Sequence, residues 1–403
     1  MSVPQRPVSC SLIPPAPRDA RIFSHTLCCG TGAHQVVTFG IEEEFLLVNP
    51  DNGMPSSRAG EVVPALVPGD GLSLTSTAEL LACQIESSTP VCSDRETALT
   101  SLLDFRSRLA EAAATAGLTV APTGAAPSAE AGPAVVSSTA RYQDMGAMTG
   151  AVAEEHYVNG THVHVAIPSR EAGVQVLNRL RPWLATLGAI SANSPYWRGR
   201  DTSFASWRLV QYRRWSVQGC PPFFHSSADY DARIAKLMAT DIVLDSGHVG
   251  WIARLSSRFP TIEIRVADTQ LEAGDAVLLA LLARGLVSTA LEAVPMDGSP
   301  VTPADPEILD AGLWQAARFG LGGNLLDHGP RGGDLNRSAA AQVEALLDYI
   351  RPALEESGDD VFVRTGMAHL LAAGTGSQRQ REAVRHGGFA ALGPLFAASL
   401  TAS

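Results

Sequence analysis

The sequence predicts an α+β fold, in which an antiparallel sheet has helices on its apolar face and a catalytic face opposite. Three strand-like segments predict the sheet, because each places ionisable side chains on one side and bulky apolar ones on the other. Helical patterns follow these segments, and residues 307–403 read as a mainly helical C-terminal region.

The first segment, residues 39–48, is an apolar run that contains three consecutive glutamates. Because a strand alternates its side chains, Glu42 and Glu44 point to one face and Glu43 to the other. Two like charges about 4 Å apart repel by about 4 kcal/mol at an effective dielectric of about 20. Packing Glu42 against Glu44 therefore requires a cation or a proton. A solvated edge strand with surface acids is the alternative. For Glu43 we expect a buried partner or a gap to solvent.

Residues 78–92 form another apolar run, which carries Glu79 and Glu86. Glu86 follows Gln84 in the alternating pattern of a strand, so this run adds a fourth candidate strand. Glu79 lies seven residues earlier, and its facing depends on the register of the strand.

Two further strands are predicted at 161–167 and 261–267. In the first, His162 and His164 share one face opposite β-branched residues, and in the second Glu263 and Arg265 do so. Glu, His and Arg are the ligands and cationic clamps of metal and phosphate chemistry. Taken singly, His162 also fits a structural histidine, and Glu263 with Arg265 fits an ordinary salt bridge.

The remaining elements are predicted in chain order. A capping box at Ser93 and Glu96 opens a helix that ends near Gly117. A helix that begins at Ser169 is expected to kink at Pro182. The aromatic and arginine-rich stretch 193–225 suits a loop that lines a substrate site. The other expected elements are a strand at 118–121, a loop at 125–138, helices at 275–293, 339–354 and 361–373, and a linker at 295–306.

Composition narrows the class of protein. The 403 residues carry a formal charge of −11, which argues against nucleic acid or an anionic membrane as the main partner. The longest apolar stretch considered, 276–283, is too short to span a membrane. Six cysteines without zinc-ligand spacing favour reduced thiols in a cytoplasmic protein.

The predicted domain organisation has two parts. Residues 1–37 lack the apolar region of a secretory signal and are expected to be a disordered extension. Residues 38–403 are expected to form a single catalytic domain, with a sheet core at 38–294 and the mainly helical part at 307–403.

The joint pattern predicts a carboxylate-rich site for divalent metal ions. Oxygen ligands with at most one imidazole favour Mg²⁺ or Mn²⁺ over Zn²⁺. The chain has no Walker A loop, GxGxxG fingerprint, HExxH or GxSxG motif. Any nucleotide must therefore bind to the sheet face itself.

Several motifs together resemble one family. They are GIEEEFLLV at 40–48, QIESSTPVC at 84–92, GTHVHV at 160–165, NRLRPWL at 178–184, SANSPYW at 191–197, TIEIRVAD at 261–268, AARFG at 316–320 and GTGSQRQR at 374–381. In this order they resemble the bacterial carboxylate–amine ligases, often called type 2 glutamate–cysteine ligases, over about residues 38–385.

The resemblance implies a glutamine-synthetase-like fold, with a curved, mostly antiparallel sheet whose concave face binds ATP and Mg²⁺ or Mn²⁺. It implies ATP-dependent formation of a γ-glutamyl amide through a γ-glutamyl phosphate, with small amino acid and amine substrates. Glutamate–cysteine ligase activity is the name-giving case. A metal-dependent amide hydrolase and a non-catalytic binding relative stay open as alternatives, as does a homodimer.

The resemblance also assigns roles to individual residues. Arg265 and Glu263 are the expected catalytic residues, with Arg265 on a phosphate. The expected metal ligands are Glu42, Glu44, Glu79, Glu86, His162 and Glu263. Phosphate or substrate contacts are expected from five arginines, each of which also fits a surface or structural salt bridge: Arg141, Arg208, Arg214, Arg265 and Arg318.

Overall fold

A seven-stranded, mostly antiparallel sheet lies at the centre of the protein. The computed structural model describes residues 37–66, 75–129, 132–293, 303–327 and 336–402. The predicted disordered extension at 1–37 lies outside the described residues except for Val37, and so does most of the predicted linker at 295–306.

The strands follow one another as β1 Phe39–Val48, β2 Thr75–Ala78, β3 Gln84–Ser88, β4 Thr119–Ala121, β5 Gly160–Ala166, β6 Tyr196–Trp197, β7 Arg200–Asp201, β8 Gln218–Gly219, β9 Gly250–Trp251, β10 Ala253–Leu255, β11 Thr261–Asp268, β12 Asn324–Leu326 and β13 Asn336–Ser338. The central sheet has the order β10-β11-β5-β1-β3-β2, and β4 also pairs with β1. The other strands form two-stranded pairs.

The helices are α1 Ala59–Val62, α2 Arg95–Thr115, α3 Ala140–Thr149, α4 Ala151–Glu154, α5 Arg170–Leu180, α6 Leu184–Ile190, α7 Trp207–Tyr212, α8 Ser227–Met238, α9 Ala273–Glu292, α10 Pro306–Phe319, α11 Ala339–Ser357, α12 Asp360–Ala373, α13 Gly376–Gly387 and α14 Leu392–Leu400. The mainly helical character expected after residue 307 is therefore observed.

Strand β1 lies inside the sheet, with β3 on one side and β5 on the other. Its odd-numbered apolar residues Phe39, Ile41 and Phe45 are at most 1% exposed and pack on the helical side. The apolar residues of β5 and β11 join the same core. The alternation expected for these three strands is thus confirmed, and their ionisable residues share the opposite face.

Helix α9 is the element on which the apolar side of the sheet packs. It contacts β1 and β5 directly and is covered in turn by α2, α5, α11 and α12. Its Arg284 is buried and binds Asp359, which lies between α11 and α12. The buried ion pair ties the C-terminal helices to α9.

Among the described helices, α9 alone is long and apolar enough to cross a membrane. The expectation that no segment reaches that length was wrong, because Arg284 interrupts the apolar run without ending the helix. However, 72% of the apolar window is buried inside the protein. Helix α9 therefore serves as the core helix of the fold.

Glu43 is the one β1 glutamate that points into the helical side, and a partner is present there. Arg106 of α2 binds it with two hydrogen bonds, of 3.0 Å from Nε and 2.6 Å from Nη2, and both side chains are 0% exposed. Arg106 also donates to the carbonyls of Gln270 and Leu271, just before α9. One guanidinium thus joins β1, α2 and the start of α9.

Two local expectations have different outcomes. The kink at Pro182 is confirmed, since a 3₁₀ turn at Arg181–Trp183 separates α5 from α6. The capping box at Ser93 was wrong by one residue. Asp94 caps α2, and its carboxylate accepts a 2.8 Å hydrogen bond from the Thr97 N–H. A carboxylate at a helix N-terminus also interacts favourably with the helix dipole.

Replacing Arg106 by Leu should lower the free energy of unfolding by about 3–5 kcal/mol, because it leaves the Glu43 carboxylate buried without its cation. The double variant Glu43→Leu/Arg106→Leu should recover most of that loss, since no charge then stays in the core. Urea denaturation of the three proteins measures both effects.

The control is Arg58→Leu, which removes the exposed Arg58–Glu61 pair and should leave the urea midpoint unchanged. Equal losses for Arg106→Leu and Arg58→Leu would contradict the role given to the buried pair.

Candidate functional site

The ionisable face of the sheet opens into a cavity of about 450 Å³. Strands β1, β3, β5 and β11 supply its floor, and its walls come from α3, α7, the segment after α4 and the loops at 245–248 and 256–259. Of the predicted site residues, this cavity brings together Glu42, Glu44, Glu79, Glu86, Arg141, His162, Arg208, Glu263 and Arg265.

Glu42 lies between two histidines of the neighbouring strand. Its register partner on β5 is His162, whose Nδ1 is 3.3 Å from Glu42 Oε2, and His164 Nε2 is 3.4 Å from Glu42 Oε1. Burial raises the pKa of Glu42, but the two imidazoles outweigh it and hold the pKa below its usual value. For His162, burial and then the charge of Arg265 lower the pKa to about 4, which keeps this ring neutral.

Three further acids, Glu44, Glu79 and Glu86, are crowded where β1 pairs with β3. Glu44 lies directly opposite Glu86 of β3. Burial and then the charge of Glu79 raise the pKa of Glu44 to about 7. Burial, followed by the charges of Glu79, Glu42 and Glu44, raises the pKa of Glu86 well above its usual value. These carboxylates need positive charge to ionise together.

Two hydrogen bonds hold this acidic group in place. The Gly160 N–H donates to Glu44 Oε2 at 2.7 Å, and the Tyr142 hydroxyl donates to Glu79 Oε2 at 2.7 Å. Burial nonetheless raises the pKa of Glu79, and the hydrogen bond from Tyr142 offsets only part of that rise. Neutral donors orient the oxygens but supply no full positive charge.

The donor set fits a divalent cation. Two groups, Glu42/His164/Glu263 and Glu42/Glu86/His162, each bring their ligand atoms within 4.8 Å of one another, and Glu42 is common to both. Moreover, Nε2 of His162 is buried without a hydrogen-bond partner among the described residues, and Nε2 of His164 has Glu42 Oε1 at 3.4 Å. A shared carboxylate between two ligand groups suits a pair of ions.

Glu263 is surrounded by guanidinium groups. Arg254 binds both of its oxygens, at 2.8 Å and 3.1 Å, and Arg265 binds Oε1. Burial raises the pKa of Glu263, but the charges of Arg265 and Arg254 hold it well below its usual value. The charge of Glu263 is therefore compensated before any metal ion binds, unlike that of the crowded acids on β1 and β3.

The Arg208 guanidinium occupies space that any side chain at position 160 would fill. A Cβ on Gly160 would lie 2.3 Å from Arg208 Nη2. The guanidinium donates to the carbonyls of Val266 and Arg265 and stacks on the Tyr212 ring, 4.9 Å from its centroid. Gly160 thus serves the site twice, by accommodating Arg208 and by donating to Glu44.

The other predicted arginines differ in position. Arg141 lines the cavity and pairs with Asp245 at 2.7 Å. Arg214 and Arg318 are not among the residues that line it. Arg214 binds Glu155 at 2.6 Å, and Arg318 binds the Ser203 carbonyl at the surface. These contacts match the salt-bridge and structural alternatives considered for them.

Sequence reasoning missed several residues that line the site. His164 was detectable, because it shares a strand face with His162, and each of the two ligand groups contains one imidazole. Arg254, Tyr142 and Tyr212 gave no periodic signal. They reach the cavity from separate elements, and only the tertiary structure brings them to it.

The chain matches known proteins along most of its length. A family model for glutamate–cysteine ligase family 2 matches residues 38–388. A protein of Mycolicibacterium vanbaalenii named "Putative glutamate--cysteine ligase 2-2" is 41% identical over 354 residues, which is 87% of this chain and 94% of that protein. A similarly named protein of Nocardia farcinica is 42% identical, over 85% of this chain and 88% of its own.

Solved structures resemble the fold at low sequence identity. A glutamate–cysteine ligase of Francisella tularensis in complex with AMP aligns with a TM-score of 0.67 at 12% identity, over 91% of this chain and 89% of its own. A bifunctional glutathione synthetase of Pasteurella multocida aligns with a TM-score of 0.61 at 15% identity, over 91% of this chain and 52% of its own. These alignments agree with the predicted fold class.

Mg²⁺ or Mn²⁺ should raise the melting temperature of this protein, because an ion that binds only the folded state stabilises it by mass action. At about 100 times the dissociation constant the gain is about 2.7 kcal/mol. Glu86→Gln removes one carboxylate of the crowded group and should abolish most of the rise. Thermal melts at increasing metal concentration measure it.

Glu96→Gln, at an exposed position in the first turn of α2, is the matched control and should keep the full rise. If Glu86→Gln keeps it as well, the cation does not bind at these acids.

Proposed function

The chain belongs to glutamate–cysteine ligase family 2, and we propose that it is an ATP-dependent carboxylate–amine ligase that releases ADP. The acyl donor in this proposal is glutamate, and the product is a γ-glutamyl amide. Cysteine is the acceptor that gives the family its name and the first amine to test. We further propose that residues 38–403 form one catalytic domain and that the protein acts in the cytoplasm.

One observation carries the proposal. Four carboxylates, those of Glu42, Glu44, Glu79 and Glu86, share a cavity with the guanidinium of Arg265. An acidic group that needs cations, next to a fixed guanidinium, is the arrangement that phosphoryl transfer from a metal nucleotide requires. A metal-dependent amide hydrolase transfers no phosphoryl group. It therefore needs no guanidinium beside its metal ions to stabilise one.

The proposed roles follow from the positions of the side chains. The four carboxylates and His162 would hold Mg²⁺ or Mn²⁺. Once bound, such ions neutralise the ATP phosphates and polarise the transferring phosphoryl group. Arg265 would stabilise the charge on that group. Its Nη2 donates to the Tyr212 hydroxyl at 2.8 Å and its Nη1 binds Glu263, so its orientation is fixed.

The proposed reaction has two steps. A γ-carboxylate oxygen of glutamate attacks the γ-phosphorus of ATP, the bond to the bridging oxygen breaks, and ADP leaves. The amine nitrogen then attacks the carbonyl carbon of the γ-glutamyl phosphate. Inorganic phosphate leaves with the electrons of the C–O bond, and the nitrogen loses a proton. Arg208 and Arg141, which line the same cavity, are proposed to contact the phosphates or substrate carboxylates.

The proposal predicts that ADP and phosphate are released only when ATP, Mg²⁺, glutamate and an amine are all present. A coupled assay for ADP, run across a panel of amines that includes cysteine, measures this dependence. ADP release that ignores the amine, or γ-glutamyl amide cleavage without ATP, would count against the ligase and favour the hydrolase.

Glu44→Gln should lower kcat by about a hundredfold or more, a loss similar to that found when one preorganised hydrogen-bond donor to a transition state is removed. The far-UV circular dichroism and the urea midpoint should stay close to the wild-type values. Glu307→Gln, at an exposed position in α10, is the control. Normal turnover by the Glu44 variant would remove this residue from the proposed metal site.

A further inference from the structure

His156 lines the catalytic cavity but is absent from the two metal-ligand groups. It follows α4 in the chain, and its Nδ1 lies 3.0 Å from Trp215 Nε1. An indole nitrogen can only donate a hydrogen bond. Nδ1 of His156 must therefore be the acceptor, so the neutral ring carries its proton on Nε2.

The charges around His156 keep the ring in that form. Burial, followed by the positive charges of Arg208, Arg214 and Arg265, lowers the pKa of His156 to about 3. A ring that stays neutral and has its free lone pair occupied by Trp215 is no general base. It can act only as a hydrogen-bond donor through Nε2.

The ring is also held in a fixed orientation. Trp215 packs edge-on against it, with centroids 5.1 Å apart and an interplanar angle of 85°, and the Tyr212 ring lies at 5.8 Å. The preceding residue, Glu155, is bound by both Arg198 and Arg214. Among the described residues, Nε2 has no hydrogen-bond partner, which leaves this donor available to a ligand in the cavity.

The surroundings of His156 favour an anion that needs no metal ion. The charges that act on this ring are those of Arg208, Arg214 and Arg265. Arg214 is paired with Glu155 and Arg265 with Glu263, whereas Arg208 donates to two backbone carbonyls. Arg208, stacked on Tyr212, lies on the same wall. Polyphosphate in this family of reactions binds together with divalent cations, which require the acidic group on β1 and β3. A neutral N–H beside guanidiniums is instead suited to a carboxylate.

We propose that the Nε2–H of His156 binds the carboxylate of the acyl donor that does not react, which is the α-carboxylate when the donor is glutamate. This inference rests on the proposed function and adds a substrate-binding residue to it. Binding the non-reacting carboxylate here leaves the γ-carboxylate free to meet the phosphate near the acidic group. His156 would thereby help to select an amino acid as the donor.

The test compares two ligands that differ only in the proposed contact. L-glutamate carries the α-carboxylate, whereas 4-aminobutyrate has the reacting carboxylate without it. Isothermal titration calorimetry with Mg²⁺ and a non-hydrolysable ATP analogue measures their affinities for the wild-type protein and for His156→Phe. We expect His156→Phe to weaken glutamate about ten- to a hundredfold, the range for a hydrogen bond to a charged group, and to leave 4-aminobutyrate unchanged.

Two further variants sharpen the comparison. His156→Gln keeps an N–H donor and should recover part of the affinity for glutamate, whereas a ring that only fills space would gain nothing from it. His225→Phe, at an exposed position outside the cavity, should leave both affinities unchanged. In turnover, His156→Phe should raise KM for glutamate with kcat nearly constant, the pattern of lost uniform binding.

The inference is overturned if the wild-type protein does not bind glutamate, or if His156→Phe weakens both ligands equally or neither of them. The proposed ligase function has a separate criterion, namely amine-dependent ADP release. Suppose that the wild-type protein releases ADP with glutamate and an amine, but that His156→Phe binds glutamate equally well. The ligase function would then stand, and the role proposed for His156 would be rejected.

Discussion

A β-strand can present only every second residue to one face, and this geometry governs the structure around β1. Two glutamates on the cavity side leave the glutamate between them inside the helical layer, where an unpaired charge is costly. Arg106 compensates it and, through the Gln270 and Leu271 carbonyls, also holds the start of α9. The alternation of side chains along β1 therefore accounts both for the acidic cavity and for the buried ion pair in the core.

On the cavity side the chain compensates its acids by three different means. Imidazoles face Glu42, guanidiniums surround Glu263, and neutral donors hold Glu44 and Glu79. The guanidiniums supply a full positive charge, whereas the His162 ring is neutral. The raised pKa values of Glu44 and Glu86 mark where positive charge is still lacking. In the same cavity, Arg208 donates to two backbone carbonyls and stacks on Tyr212 instead of pairing with an acid. This asymmetry is the basis for proposing metal ions on one side and a substrate carboxylate on the other.

Strand alternation is a local property, which is why the sheet, the facing of Glu42, Glu44 and His162, and the inward position of Glu43 could be predicted from the sequence. The partner of Glu43 could not, because Arg106 sits in an ordinary amphipathic helix and its role depends on how α2 docks. Arg254 and His156 were missed for the same reason. Conversely, the family resemblance implied a substrate contact for Arg214, and the structure pairs this residue with Glu155.

The sheet order has a consequence for synthesis of the protein. Strand β1 is made first among the strands of the sheet, yet its neighbours β3 and β5 come later in the chain, and β11 completes the face last. The ligand groups combine residues from Glu42 to Glu263, so no short fragment contains a whole site. A nascent chain therefore exposes its triple glutamate to the ribosome exit and to chaperones long before any cation can be held there.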